Sequence, residues 1–277
     1  MAAYKAIVTG GARGIGYALT SAIVAAGGKV RFLDVLASEG AKAQKSLDEK
    51  YGRGNAVFLQ CDVAKKDELR GAFNEAKSQM DGVNVVFNNA GVMSITFEDE
   101  KIRYEEIMAV NLGGVISGSI LGLELMGKGY GGDGGVIINT ASFAVFTPPP
   151  FSHQPVYSAV KAGVAQFTRC LAQTSPAEHN VRVNCVCPHG VWTDMLKPSI
   201  EHNQKKFAQL PQEQRDSMQA YFEEVSKLFL EPTDVSNEVM KLINDESKND
   251  QVLSIVRNPN DPAHIITQNH PTMAMPQ

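Results

Sequence analysis

The chain has 277 residues, a formal charge of −4, a pI near 5.9 and 43% hydrophobic content. That length suits one large α/β domain with a sizeable core, and the acidic balance leaves no basic stripe for a nucleic-acid backbone. No apolar run in the sequence reaches the length of a membrane span, and the first ten residues enter a strand without a charged leader and cleavage site, so a cytoplasmic protein is expected.

A β-branched run at 5–9 meets the turn Thr9–Gly16, TGGARGIG, which opens a helical pattern over 14–26. A glycine-rich turn between strand and helix lets backbone approach a pyrophosphate and aims helix amides at it. Gly10, Arg13, Gly14, Ile15 and Gly16 are therefore candidate cofactor contacts. The second strand, 29–34, ends in Asp34, where a carboxylate accepts from adenosine ribose hydroxyls and repels a 2′-phosphate. NAD is favoured over NADP, with Arg13 the one residue pulling the other way. A helix over 39–50 leads to a strand at 56–62, whose end places Asp62 and Val63 beside an adenine. After a helix over 66–79, the strand 83–89 runs into NNAG, where Asn89, Ala90 and Gly91 combine a turn-tying amide with small residues that let a cofactor lie against backbone.

A long helical pattern over 100–126 contains Asn111, and GKGYGGDGG at 127–135 is a connector. The strand 136–142 ends in Ser142. The stiff, apolar stretch FAVFTPPPFSH at 143–153 follows and is expected to form a substrate-facing wall of Phe143, Val145, Phe146 and Phe151. A helix over 155–173 then places Tyr157 and Lys161 one turn apart on one face. A strand at 181–187, a helix within 200–230, a helix over 233–245 and a strand at 251–256 complete the pattern, and the segment 257–277 is expected to be a flexible or draped tail. Near-continuous apolar strands alternating with helices predict a single doubly wound, Rossmann-like α/β domain over 1–256 with a seven-stranded parallel sheet. Cys61, Cys170, Cys185 and Cys187 lack metal-type spacing and are expected to be reduced thiols, with no metal site.

TGGARGIG, Asp34, the Asp62–Val63 pair, NNAG, Asn111, Ser142 and YSAVK occur in the order of the short-chain dehydrogenase/reductase family, which the chain resembles from about residue 4 to 256. The stretches QCDVA (60–64), NLGGVISGSILGLELM (111–126), GGVIIN (134–139) and QPVYSAVKAGVAQFTR (154–169) are most similar to the branch of that family that oxidises prostaglandin hydroxyls with NAD. The resemblance implies catalytic roles for Asn111, Ser142, Tyr157 and Lys161. Tyr157 is the general base, Lys161 holds the nicotinamide ribose and favours the phenolate, Ser142 holds the substrate oxygen, and Asn111 holds a backbone bend and a proton-passing water. Bringing a phenol from about 10 to about 7 takes roughly 4 kcal/mol of differential stabilisation, within reach of two nearby cations. The resemblance also implies that Gln154 contacts the substrate and that Pro188, Val191 and Thr193 meet the nicotinamide.

After the sixth strand the family usually has Pro-Gly, whereas this chain has Pro188 followed by His189, which is expected to be a solvated turn histidine, with a second titrating group near the cofactor as the alternative. Trp192 either roofs the substrate pocket or packs on the helix within 200–230. The implied substrate is a hydrophobic secondary or allylic alcohol, prostaglandin-like, steroid or isoprenoid, or the corresponding ketone. An NADPH-dependent carbonyl reductase and a non-catalytic nucleotide-binding regulator are the alternatives. Glycines 113, 114, 118 and 122 permit close helix approach, and a homodimer through 100–126 and 155–173 is expected.

Overall fold

The short apolar runs form the buried strands of one sheet because β-branched residues suit a pleated surface covered on both faces. The computed structural model describes residues 4–146, 154–261 and 263–270. In chain order the strands are β1 (Lys5–Thr9), β2 (Lys29–Asp34), β3 (Ala56–Gln60), β4 (Val85–Asn88), β5 (Gly135–Thr140), β6 (Val181–Pro188), β7 (Val252–Arg257) and β8 (Ile265–Asn269). The helices are α1 (Gly14–Ala25), α2 (Ala37–Tyr51), α3 (Lys66–Met80), α4 (Phe97–Met108), α5 (Val115–Met126), α6 (Pro155–His179), α7 (Lys197–Phe207), α8 (Gln212–Ser226) and α9 (Pro232–Asn244).

The sheet order is β3-β2-β1-β4-β5-β6-β7-β8, and the order reverses between β1 and β4. That reversal opens a crevice at the carboxyl ends of the strands, where doubly wound sheets take ligands. One face packs on Leu19, Ile23, Leu47, Val235 and Val239, the other on Leu69, Phe73, Leu121 and Met126.

The expectation of seven parallel strands is corrected to eight. β1 through β7 pair in parallel, but β8 pairs antiparallel to β7, with Ile255 opposite Thr267. β8 comes from the segment read as a tail. It is a mostly exposed edge strand that needs only backbone pairing with β7, so it lacks the apolar run that marks the other strands. The helix expected within 200–230 is two, separated at Leu210 and Pro211. The Pro-rich part of the expected wall, residues 147–153 with Phe151, and the last seven residues, 271–277, lie outside the described residues.

The long central helix is continuous over Phe97–Met126 but winds as a π-helix at Ala109–Gly114. By length and composition alone it could cross a membrane, contrary to the reading of the sequence. Half of its apolar window is buried inside the molecule, and its Leu121, Leu123 and Met126 belong to the core.

Candidate active site

The first turn is shaped by backbone that only glycine allows. Gly10 and Gly14 have φ of 64° and 53°. A Cβ on Gly16 would lie 2.1 Å from the Gly10 carbonyl oxygen, so helix and turn touch directly. The turn of the fourth strand is tied to the first: Asn89 Nδ2 donates to the carbonyls of Thr9 and Gly10, both at 3.2 Å, and Thr9 Oγ1 accepts from the amides of Asn89 and Ala90. Below them, Asn88 Nδ2 donates to Ser119 Oγ and to Asn139 Oδ1, and Asn139 Nδ2 donates to Thr168 Oγ1, a buried polar network that locks β4 and β5 to α5 and α6.

A cleft of about 620 Å³ opens along the carboxyl edge. Gly10, Arg13, Gly14, Ile15, Asp34, Asp62, Val63, Asn89, Ala90, Gly91, Asn111, Ser142, Phe143, Gln154, Tyr157, Lys161, Pro188, Val191 and Thr193 all line it, with Gly91 against Asn111 and Lys161, and Thr193 against Gly14. Among the residues singled out from sequence, Gly16 is packed beneath the turn and Trp192 stands outside. Val145 and Phe146, expected in the substrate-facing wall, instead pack on the buried cluster around Val164 and Cys185, leaving Phe143 to line the cleft. Trp192 is 40% exposed and meets Phe229 edge-on at 4.9 Å, so it touches a lining residue without lining the cleft itself.

At the end of the cleft that Asp34 lines, both oxygens of its carboxylate accept backbone bonds, Oδ2 from the amide of Ala12 and Oδ1 from that of Leu36. The carboxylate is thus fixed between two turns. Asp62 Oδ1 accepts from the amide of Ala64, and Val63 packs beneath Gly114. Arg13 reaches Asp194 at 3.6 Å, with both side chains about half exposed, a weak and screened pair.

Asn111 sits inside the π-helix, a wide turn that commonly marks functional sites. Its Nδ2 donates to the carbonyls of Val92 (2.8 Å) and Ile107 (3.0 Å), and its Oδ1 accepts from the amide of Val92. Lys161 is buried, donates to the Thr140 carbonyl at 2.8 Å, and lies 5.7 Å from the centre of the Tyr157 ring. Ser142 Oγ accepts from the amide of Ala144, and its hydroxyl lies near enough to the Tyr157 phenol to pull that phenol's pKa downwards. Gln154 precedes α6 but does not cap it, because its Nε2 donates instead to the carbonyl of Ser94.

Burial pushes the Tyr157 phenol above its ordinary value, against the pull of the Ser142 hydroxyl. Burial also lowers Lys161 from 10.5 to about 8. Without a further positive charge, therefore, the protein environment holds the phenol protonated at neutral pH.

The sign of the Lys161 shift makes a stability prediction. A lysine whose folded value is about 8 against 10.5 in the open chain penalises folding fully below pH 8, and the penalty fades as pH rises towards 10.5. Lys161→Met should therefore melt above the native chain at pH 7, by at most roughly 3 kcal/mol of stability, with the gap closing by pH 10. Thermal melts of both proteins across that range check it.

Sequence reasoning did not foresee several features. His189 is half-buried and lines the cleft: its ring lies edge-on to Phe143 at 5.2 Å and near Phe229 at 6.2 Å, and burial lowers its pKa, favouring the neutral ring. Phe146 packs on Phe143 and stacks on His270 at 3.9 Å, so the end of the β8 segment buttresses the wall. Met93, Met195, Val225 and Phe229 complete an apolar end of the cleft. Glu100 of α4 is buried and accepts from the amides of Val156 and Tyr157. None of these carried a motif.

A dinucleotide turn at a sheet's switch point, with a serine, tyrosine and lysine gathered in the same cleft, defines a nucleotide-binding oxidoreductase of the short-chain type. The chain belongs to the short chain dehydrogenase family, whose match covers residues 4–204. It is similar to 15-hydroxyprostaglandin dehydrogenase (NAD(+)) from Rattus norvegicus, at 35% identity over 90% of each chain. The protein of that name from Bos taurus is 36% identical over the same share of each chain. It is also 30% identical to 3-oxoacyl-[acyl-carrier-protein] reductase FabG of Chlamydia trachomatis, over 72% of this chain and 78% of the relative. Among solved structures, levodione reductase shares the fold, with a TM-score of 0.74 at 23% identity, covering 90% of this chain and 94% of that one.

Proposed function

We propose that this chain oxidises a hydrophobic secondary or allylic alcohol to its carbonyl, on the model of a prostaglandin-type hydroxyl. As a class it is an NAD-dependent oxidoreductase of the short-chain type. The observation that carries the substrate reading is the composition of the cleft beyond Tyr157, where Met93, Phe143, Met195, Val225 and Phe229 surround a small set of polar groups. Similarity over nine-tenths of the chain to enzymes named for 15-hydroxyprostaglandin supports the same class of substrate.

The residues present fit a dinucleotide. The backbone of Gly10 and Gly14 lines the cleft with positive φ that side chains rarely adopt, Asp34 stands ready for ribose hydroxyls, and the Lys161 ammonium has protons to spare beyond its bond to Thr140. Gly10, Gly14 and Ile15 would hold the pyrophosphate, Asp34 the adenosine ribose, Asp62 and Val63 the adenine, and Asn89 to Gly91, Lys161, Pro188, Val191 and Thr193 the nicotinamide half. Bound NAD supplies a hydride acceptor whose oxidised ring is cationic.

Ser142 and Tyr157 grip the reacting hydroxyl together, and Tyr157 takes its proton as the carbinol C–H bond breaks. Ser142 keeps its hydrogen bond to the oxygen as it becomes a carbonyl. Lys161, itself lowered to about 8, gives or takes a proton near neutral pH and relays the one that Tyr157 must shed before the next cycle. Asn111 fixes the turn at Val92 that faces the same end of the cleft. Gln154, held by Ser94, would present its carbonyl oxygen to the substrate hydroxyl.

A panel of 15-hydroxyprostaglandins, hydroxysteroids, isoprenoid alcohols and short polar alcohols, compared by kcat/KM at saturating NAD, tests the substrate class. The hydrophobic alcohols should lead by about 100-fold or more, since each buried methylene adds close to 0.8 kcal/mol. Equal use of short polar alcohols would reject the reading.

Cofactor choice rests on Asp34. Asp34→Ser removes the charge that repels a 2′-phosphate and should cut the preference for NAD over NADP by about 100-fold, since like-charge juxtaposition costs several kcal/mol. The ratio of the two kcat/KM values measures it, and an unchanged ratio would assign the preference elsewhere.

A further inference from the structure

We infer that Glu100 is a positioning residue for Tyr157, reaching across from α4 to hold the first turn of the helix that carries the base. The inference rests on the proposed role of Tyr157 and concerns how its phenol is held in place.

An α-helix begins with amides that have no partner within the helix. In α6 the first position is Pro155, which has no N–H, and the preceding Gln154 turns its side chain to Ser94 instead of capping. The next two amides belong to Val156 and Tyr157. Glu100 Oε2 accepts from the first at 3.1 Å and Oε1 from the second at 2.9 Å. The two ends of this cap are 56 and 57 residues apart in sequence, so no local motif provides it.

The carboxylate is completely buried, and among the described residues no lysine or arginine forms an ion pair with it. A charge in that setting is tolerated only where strong hydrogen bonds and dipoles replace water. The amino end of α6 supplies both, and the carboxylate also sits in the first turn of α4, whose Thr96 side chain caps its own helix. One of the two donated amides is that of Tyr157 itself. Any slackening of the cap therefore displaces the backbone from which the phenol hangs, with Ser142, which follows β5, left behind.

The test uses the full chain with Glu100→Ala, which removes both acceptors, and Glu100→Gln, which keeps one. Turnover of the best alcohol of the panel is measured below the melting temperature of each variant, with NAD affinity measured alongside. Backbone amide exchange is followed by mass spectrometry over 154–161. The expected result is a fall in kcat of about 10-fold to 100-fold for the alanine, the scale set by misplacing a reacting group by about an ångström. The glutamine should lie between it and the native chain, NAD affinity should stay within about twofold, and exchange should quicken over 154–161 but not in the sheet. A cap that is merely structural would lower melting temperature and leave kcat per folded molecule unchanged, which overturns the inference, as does unaltered exchange over 154–161. If the native chain oxidises none of the alcohols, the proposed function fails, and exchange alone still decides whether Glu100 holds the backbone of Tyr157.

Discussion

Replacing Tyr157 with phenylalanine is expected to lower kcat by about a thousandfold or more while leaving NAD affinity within about a factor of two. Positioned general acid–base groups contribute on the order of 10²-fold to 10⁴-fold, and this phenol, on α6, lines the cleft together with Ser142 and Lys161. The substitution removes one oxygen and keeps the ring, so the packing of the helix start should survive. Initial rates of NADH formation, with NAD binding followed by quenching of protein fluorescence, separate the two quantities. A variant that keeps a tenth of the native kcat would transfer the base role to another group in the cleft. Loss of NAD binding would instead mean that the phenol oxygen holds the cofactor.

The second large effect is expected at Gly16. An alanine there puts its Cβ 2.1 Å from the Gly10 carbonyl oxygen, 2.8 Å from the carbon of that carbonyl and 2.9 Å from Asn89 Nδ2. Two of these are backbone atoms, and the third side chain is held by Thr9 and Gly10, so nothing can yield without moving the turn from the helix. Gly16→Ala should lose NAD affinity by about 100-fold and stability by about 1–3 kcal/mol, the scale of core overpacking. Gly71, inside α3 with nothing within 4 Å of its Cβ position, is the control. Gly71→Ala should instead stabilise by about 0.5–1 kcal/mol through the lower backbone entropy of the unfolded chain. Denaturant melts of both variants and NAD titration of Gly16→Ala check the pair. Near-native affinity in Gly16→Ala would show that the turn tolerates separation from its helix.

What the sequence disclosed and what it hid divide along a physical line. Asp34, Asn89, Ser142, Tyr157 and Lys161 each sit at the end of a strand or the start of a helix, in a short motif whose geometry is local, and the structure gathers them along one cleft. β8 escaped because an exposed antiparallel edge needs no apolar run, and a proline-dotted terminal stretch reads as a tail. The two helices over 197–226 carry polar, weakly patterned sequences, so only the pocket itself shows that Val225 faces the cleft. Glu100 was hidden more thoroughly. Within FEDEKIRYEE it looks like one more member of a solvated acidic face, and only the packing of α4 against α6 turns it inward. The departure at Pro188–His189 was visible in sequence, but its outcome depended on Phe143 and Phe229, which arrive from distant segments. Side chains that act through long-range packing leave no signature in a single sequence.

The central claim is hydride transfer from a carbinol carbon to NAD under the control of Tyr157. The most direct test is to incubate the protein with NAD and the best alcohol of the panel, deuterated at the carbinol carbon, and to analyse the reduced cofactor by mass spectrometry. NADH carrying the deuterium, absent with Tyr157→Phe, is the predicted result. NADH without the label, or labelled NADH formed equally well by Tyr157→Phe, would contradict the account.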